Sequence, residues 1–230
     1  MSDDPPNAGT PLSSQTGEPH ATTQVYVRSN FPVPTIDEGA WHVSVGRSEI
    51  SLSDLNRYEK HSVVMALECA GNGRTLMVPT PPGTPWTLGG ASHVEFSGVR
   101  LRDVLSDHLP LEGAVEVVFT GADSGVVPED GQVPYQFSLT TDEAQSSDPL
   151  LVWEMNGEPL TAEHGSPIRL VVPGQYAMKS VKWLTSIQAA DEPFLGHFVR
   201  KYRYFADATE SEAAPVGAIQ VRSLVAEPLA

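Results

Sequence analysis

The only cysteine of the 230-residue chain, Cys69, closes the apolar run Val63-Val64-Met65-Ala66-Leu67 and opens the turn Ala70-Gly71-Asn72-Gly73-Arg74. A buried strand delivering one thiol to a tight turn beside an arginine suits a thiolate metal ligand or a nucleophile. Cationic groups and backbone N–H donors both favour the deprotonated sulfur. The plainer role for a lone cysteine is that of a small buried hydrophobe. Three further polar clusters stand where strands end: Arg28-Ser29-Asn30, His164-Gly165-Ser166-Pro167-Ile168-Arg169, and Lys179-Ser180-Val181-Lys182-Trp183. The chain has only 14 Lys and Arg, yet Arg28, Arg74, Arg169 and Lys182 all flank glycine turns or strand ends. Cations kept at such places in an acidic chain point to an anion site. Taken singly, each has a plainer role: solvated charges for the cations, a turn former for Asp123, a packed loop residue for Trp86.

Other chemistries fit less well. No G-x-S-x-G elbow is present, and Ser166 lies beside a proline. The single cysteine and scattered histidines lack the paired spacing of a zinc site. Neither G-x-G-x-x-G nor a P-loop follows a strand. Nucleophilic catalysis by Cys69 with His164 stays open, as does a transition metal on the thiolate.

The elements that must position these groups are mostly strands. Strand candidates are Gln24–Arg28, Trp41–Val45, Val63–Leu67, His93–Phe96, Ala114–Thr120, Tyr135–Leu139, Leu150–Met155, Ile168–Val172 and Val181–Ala189. Ser53 is expected to cap a short helix through Tyr58. Leu101, Val104, Leu105 and Leu109 have helical spacing, and a short acidic helix follows Thr140. Asn156-Gly157 signals a hairpin. A Pro/Gly loop, Val78–Gly90, carries Trp86, and a second polar loop runs from Gly121 to Pro134. The pattern is mixed α+β with a largely β core. Residues 1–23, rich in Pro, Ser, Thr, Gly and Asn, read as a disordered tail, with one domain over 24–230.

The 29 Asp and Glu leave a formal charge of −15, which repels phosphate backbones and argues against nucleic-acid partners. Only four lysines occur, a balance that also suits concentrated salt. One cysteine excludes an internal disulfide, no apolar run is long enough to span a bilayer, and no secretory signal opens the chain. A soluble, cytoplasmic protein without membrane contact is expected.

Leu67-Glu68-Cys69-Ala70-Gly71-Asn72-Gly73-Arg74 resembles the molybdenum-ligand segment of the sulfite oxidase family. Glu154-Met155-Asn156-Gly157, the stretch from His164 to Gly174, and Ser180-Val181-Lys182-Trp183-Leu184 resemble that family's pterin-binding stretch in the same order. Tyr26-Val27-Arg28-Ser29-Asn30-Phe31-Pro32-Val33-Pro34 is similar to its opening motif. The resemblance implies a β-rich α+β molybdopterin-binding fold and a molybdenum–molybdopterin cofactor ligated by Cys69. It implies that Tyr26, Val27, Arg28, Ser29, Asn30, Asp123, His164, Arg169, Ser180, Val181 and Lys182 hold the pterin and its phosphate. Arg28, Arg74, Trp86 and Tyr135 match positions around the substrate. A small oxyanion or oxo-donor substrate and an external electron acceptor are implied, with oxidation of sulfite foremost. Reduction of a sulfoxide or nitrate, and a non-catalytic pterin carrier, are the alternatives. Asn30 stands where animal members carry His. The sequence ends where larger members continue into an immunoglobulin-like dimerisation domain that lends an arginine to the pocket, so neither that domain nor that arginine is expected.

Overall fold

The computed structural model describes residues 5–15, 18–204 and 213–223. In chain order the strands are β1 (Asn7–Ala8), β2 (Val27–Arg28), β3 (His42–Val45), β4 (Ser48–Ser51), β5 (Lys60–Glu68), β6 (Ala91–Arg100) and β7 (Glu116–Val127). They continue as β8 (Gly131–Thr140), β9 (Leu150–Met155), β10 (Glu158–Pro159), β11 (Arg169–Val171), β12 (Leu184–Ala190), β13 (Arg203–Tyr204) and β14 (Ala214–Pro215). Short helices intervene: α1 (Leu52–Leu55), α2 (Leu101–His108), α3 (Thr141–Gln145) and α4 (His197–Lys201). One five-stranded sheet has the order β10-β9-β6-β5, with β11 also on β9. The other runs β4-β3-β12-β7-β8, with β12 parallel to β3. The fold is the expected β-rich α+β type.

Local chemistry accounts for the joints. Asn156 (φ 53°) and Gly157 (φ 78°) take the left-handed conformation that lets a two-residue turn follow the strand twist between β9 and β10. Helix α2 buries Leu101, Val104 and Leu105, the face expected from their spacing. Each such side chain removed from water contributes about 1.5–3 kcal/mol. Helix α3 starts on a capping box in which Thr140 and Glu143 exchange bonds. One apolar cluster, including Phe119, Leu139, Leu105 and Ile187, fills the space beside the second sheet. A smaller one, including Trp86, Phe96, Met155 and Leu67, lies against the first.

Several expectations are corrected. Helix α1 is capped by Ser51, not Ser53, because Ser51 and Asp54 form the capping box. The second polar loop is largely strand: β7 continues to Val127 and pairs with β8 from Gly131, with a bulge between Thr120 and Ser124. Its polar residues are tolerated because one face of that ribbon meets solvent. Strand β12 begins at Leu184 rather than Val181, leaving Val181 and Lys182 in an irregular turn.

The disordered tail is also corrected for residues 5–15 and 18–23. Strand β1 pairs with β2, placing Asn7 opposite Arg28. The Thr10 N–H donates to Gly89 O at 2.8 Å, and the hydroxyls of Thr10 and Ser92 meet at 2.5 Å. The His20 N–H donates to His93 O at 2.8 Å. These ties use main chain and small polar groups, so no apolar periodicity announces them. Residues 1–4 and 16–17 of the expected tail, and 205–212 and 224–230 of the expected domain, lie outside the described residues. Among the described residues no helix is long and apolar enough to cross a membrane.

Candidate functional site

Strand β5 ends at Glu68, and the next residue enters a cleft between the two sheets with about 650 Å³ of empty space. The Cys69 N–H donates to Gly90 O at 2.8 Å, and its carbonyl accepts from the Asn72 N–H at 2.9 Å, so the turn is fixed on both sides of the thiol. Burial pushes the thiol pKa up; the Gly71 N–H, Arg28, Arg74 and the Trp86 indole oppose that rise. Trp86 is fully buried, packed edge-on to Tyr26 with ring centroids 5.8 Å apart. A metal cation would complete what those groups begin, displacing the thiol proton.

The Arg74 guanidinium is held in a slot of glycines. Its Nη1 donates to Thr84 O at 2.9 Å. A Cβ on Gly71 would stand 2.8 Å from its Nη2, and one on Gly83 2.5 Å from its Nη1. The glycines are required here by close approach.

Across the cleft lies a second group of cations. Arg169 is 3 % exposed, and its Nη1 and Nη2 donate to the carbonyls of His164 (2.9 Å) and Ser180 (3.1 Å). Lys182 Nζ donates to Ser29 Oγ at 2.9 Å and to Glu163 O at 2.7 Å. The left-handed Trp183 (φ 47°) turns the chain between Lys182 and β12. That conformation costs about 1–2 kcal/mol in a non-glycine residue. Its ring is fully buried and its indole N–H donates to Ala162 O at 2.8 Å, which offsets the cost. Arg28 Nη2 donates to Asn30 Oδ1 at 2.8 Å, and its Nη1 contacts the Ser29 carbonyl.

The electrostatics lack a partner. Among the described residues none of Arg28, Arg74, Arg169 and Lys182 has a carboxylate within ion-pair distance. Burial lowers the Arg169 pKa to about 10 and that of Lys182 well below its usual value. Burial, with Arg169 and Lys182 beside it, holds His164 at about 3, so its imidazole is neutral. Burial pushes Asp123 up to about 6 while Lys182 pulls it down, and its Oδ1 is buried without a hydrogen-bond partner. Arg169, buried with no carboxylate at ion-pair distance, calls for an anion, half-buried Lys182 has only Asp123 and Glu163 as more distant opposite charges, and a buried orphan acceptor needs an N–H donor.

Of the residues expected from sequence, Tyr26, Arg28, Ser29, Asn30, Cys69 and Asp123 line the cleft. Tyr135, His164, Arg169, Ser180 and Lys182 line it as well. Four are not on its lining. Val27 belongs to β2, and Val181 is a fully buried core residue whose contribution is main chain, its carbonyl accepting from the Leu170 N–H at 2.9 Å. Arg74 and Trp86 sit behind Cys69. Tyr135 lines the cleft, but its hydroxyl donates to Met178 O at 2.7 Å. Sequence reasoning passed over Glu163, Met178, Trp183 and Tyr202 as cleft residues. Tyr202 had no signal, standing after a short helix with no motif of its own.

A molybdopterin fits these donors. Arg169 and Lys182 would suit its phosphate, the orphan Asp123 Oδ1 would suit its ring N–H groups, and a soft thiolate would suit its metal. Among the described residues no three His, Cys, Asp or Glu gather as a metal cage.

Comparison with known proteins agrees. The family model "Oxidoreductase molybdopterin binding domain" matches residues 30–198. Mitochondrial sulfite oxidase of Rattus norvegicus is 34 % identical over 224 residues, covering 88 % of this chain and 40 % of its own length. Sulfite oxidase of Gallus gallus is 34 % identical over 223 residues, covering 88 % and 48 %. Nitrate reductase [NADH] 1 of Phaseolus vulgaris is 33 % identical over 186 residues, covering 75 % and 21 %. The chain thus spans less than half the length of these relatives. The sulfane dehydrogenase SoxCD from Paracoccus pantotrophus shares the fold, with a TM-score of 0.83 at 21 % identity over 99 % of this chain and 58 % of that one. The cation-rich cleft, the single thiol at its floor and the match across most of its length place this chain in the sulfite oxidase family, with that family's molybdopterin-binding domain.

Proposed function

We propose that the chain is a molybdenum-cofactor-dependent oxidoreductase of the sulfite oxidase type. The observation that carries this reading is that one cleft is lined by Cys69, by buried Arg169 with no ion-pair partner, and by half-buried Lys182. In it the Cys69 thiolate is the protein ligand to molybdenum. Arg169, Lys182 and Ser29 hold the cofactor phosphate. Asp123 accepts from the pterin N–H groups, and neutral His164 offers one ring donor and one lone pair. Bound there, the cofactor supplies two-electron oxygen-atom transfer, with sulfite or a related small oxyanion as substrate and an external acceptor for the electrons. Arg28, on the lining, orients the oxyanion and stabilises its charge as it reacts, and Arg74, off the lining, adds its positive charge beside the thiol. The Asn30 carboxamide fixes the Arg28 fork, and the Gly71–Gly83 slot fixes that of Arg74.

The direct test is metal and pterin analysis of the purified protein, followed by steady-state assay with sulfite and an artificial acceptor. Turnover with stoichiometric molybdenum supports the reading; a metal-loaded protein that does not turn over sulfite removes the substrate. The likeness to nitrate reductase favours one alternative, reduction of nitrate or a similar oxo acceptor in the same cleft. The same assay run with a reduced dye and nitrate separates the two. Cofactor without turnover of any donor or acceptor would make the chain a pterin carrier.

A further inference from the structure

Gly90 meets the Cys69 turn with both of its main-chain polar groups. Its carbonyl accepts from the Cys69 N–H at 2.8 Å, and its N–H donates to Oδ1 of Asn72 at 3.0 Å. The other end of that carboxamide donates from Nδ2 to Glu68 Oε1 at 3.2 Å. Asn72 therefore closes a ring through Glu68, Cys69 and Gly90. We infer that Asn72 is a positioning residue for the metal-ligating thiol, fixing the main chain on both sides of Cys69 before a cofactor arrives. The inference rests on the proposed reading of Cys69 as the molybdenum ligand.

The carboxamide has one way to point. Glu68 Oε1 also accepts from Arg222 Nη2 at 2.7 Å, so the Nδ2 end of Asn72 must face Glu68 and the Oδ1 end the Gly90 N–H. Asn72 and Glu68 are 5 % and 4 % exposed, so water does not compete for these groups. Gly90 lies close against the amide: a Cβ there would stand 3.2 Å from Asn72 Oδ1 and 3.1 Å from the Trp86 ring. Main-chain bonds join the same two stretches further along, from the Gly73 N–H to Thr87 O at 2.5 Å and from the Thr75 N–H to Trp86 O at 3.0 Å. At the cysteine itself the joint depends on a single side chain. A ligand oriented in advance by its neighbours need not be ordered when it binds.

Cys69 is the only cysteine, so a disulfide reagent reads it without interference. The test is its rate of modification in the full-length chain without cofactor, with urea unfolding alongside. The proteins are wild type, Asn72→Asp, Asn72→Ala and the double variant Glu68→Gln with Asn72→Asp. Asn72→Asp sets two carboxylates against each other, and the thiol should react at least about tenfold faster, beyond any rise in the globally unfolded fraction. The added negative charge alone would keep the thiol protonated and slow the reaction, so a faster rate reports opening of the turn. The double variant restores the bond with donor and acceptor exchanged, and its rate should return to within about twofold of wild type. Should Asn72→Asp fail to fold, Asn72→Ala against the double variant carries the same comparison. Molybdenum content of the holoprotein should fall in Asn72→Asp and recover in the double variant. Rates that only track global stability, a double variant as fast as Asn72→Asp, or equal molybdenum content in all of them overturns the inference. A wild type with no thiolate sulfur at its molybdenum removes the ligand reading instead, and the labelling rates still decide whether Asn72 holds the turn.

Discussion

Arg222 Nη2 lies 2.7 Å from Oε1 of Glu68, the residue that immediately precedes Cys69. The segment carrying Arg222 is tied down along its length: the Tyr176 N–H donates to Gly217 O at 3.0 Å, and the Ile219 N–H to Gly174 O at 2.9 Å. This late stretch of chain therefore braces the end of β5 from outside the cleft. The Glu68 side chain is only 5 % exposed, and the Asn72 amide, 3.2 Å away, is its other partner.

Arg222→Ala leaves a buried carboxylate half-compensated. Loss of one member of a buried pair costs several kcal/mol, but Arg222 is 39 % exposed and screened, so about 1–2 kcal/mol is expected. Urea unfolding measures it. A variant as stable as the wild type would show that the ion pair is idle.

Asp123 and His164 give opposite pH dependences to the cofactor-free protein. Folding raises the Asp123 pKa from ~3.9 to about 6, so the folded state holds more protons between them. Its contribution is complete below the unfolded value and is lost as pH rises through about 6. Folding lowers the His164 pKa from ~6.5 to about 3, so the unfolded state holds more protons, and stability is lost as pH falls below ~6.5. In the wild type the two oppose each other between roughly pH 4 and 6. Asp123→Asn should yield a protein whose stability rises with pH over that window, and His164→Gln one whose stability falls. The expected slopes amount to about 2 kcal/mol across the window. Parallel denaturation profiles for the two variants would contradict the assignment.

The amino-terminal segment is structural. Removing residues 1–15 takes away β1 and the ties to Gly89 and Ser92, and with them the main-chain support of Arg28 and of the loop that receives the Cys69 N–H. A lower melting temperature and faster protease cleavage within 78–90 are expected. Unchanged cleavage would return the segment to the status of a dispensable tail.

How much of this could be read from residues alone depended on the kind of signal. The strand into Cys69, the helix carrying Leu101, Val104 and Leu105, and the Asn156-Gly157 turn were legible because apolar period or turn chemistry marks them. Asp123, His164, Arg169 and Lys182 could be named by motif, and the cleft gathers all four. Pairing of Asn7 with Arg28 was not legible, since it is made by main chain. Nor was the strand character of residues 124–127 and 131–134, whose polar residues read as loop. Tyr202 was hidden because no motif marks it, and only the fold brings it to the cleft lining.

The Arg74 slot gives a sharp substitution. Gly83 has φ +123° and no room for a Cβ beside Arg74 Nη1, so Gly83→Ala must displace that guanidinium. With the proposed substrate, taking that charge away from the thiol should lower kcat/KM for sulfite severalfold. An unchanged kcat/KM would show that the Arg74 charge does not act on the site.

The central claim, that Cys69 ligates molybdenum, is tested most directly by X-ray absorption at the molybdenum edge for the purified wild type and Cys69→Ser. The wild type should show one more sulfur scatterer at bonding distance than the variant, which keeps the cofactor's own sulfurs and replaces the thiolate with oxygen. Equal sulfur counts in the two proteins, or a wild type that carries no molybdenum, would contradict it.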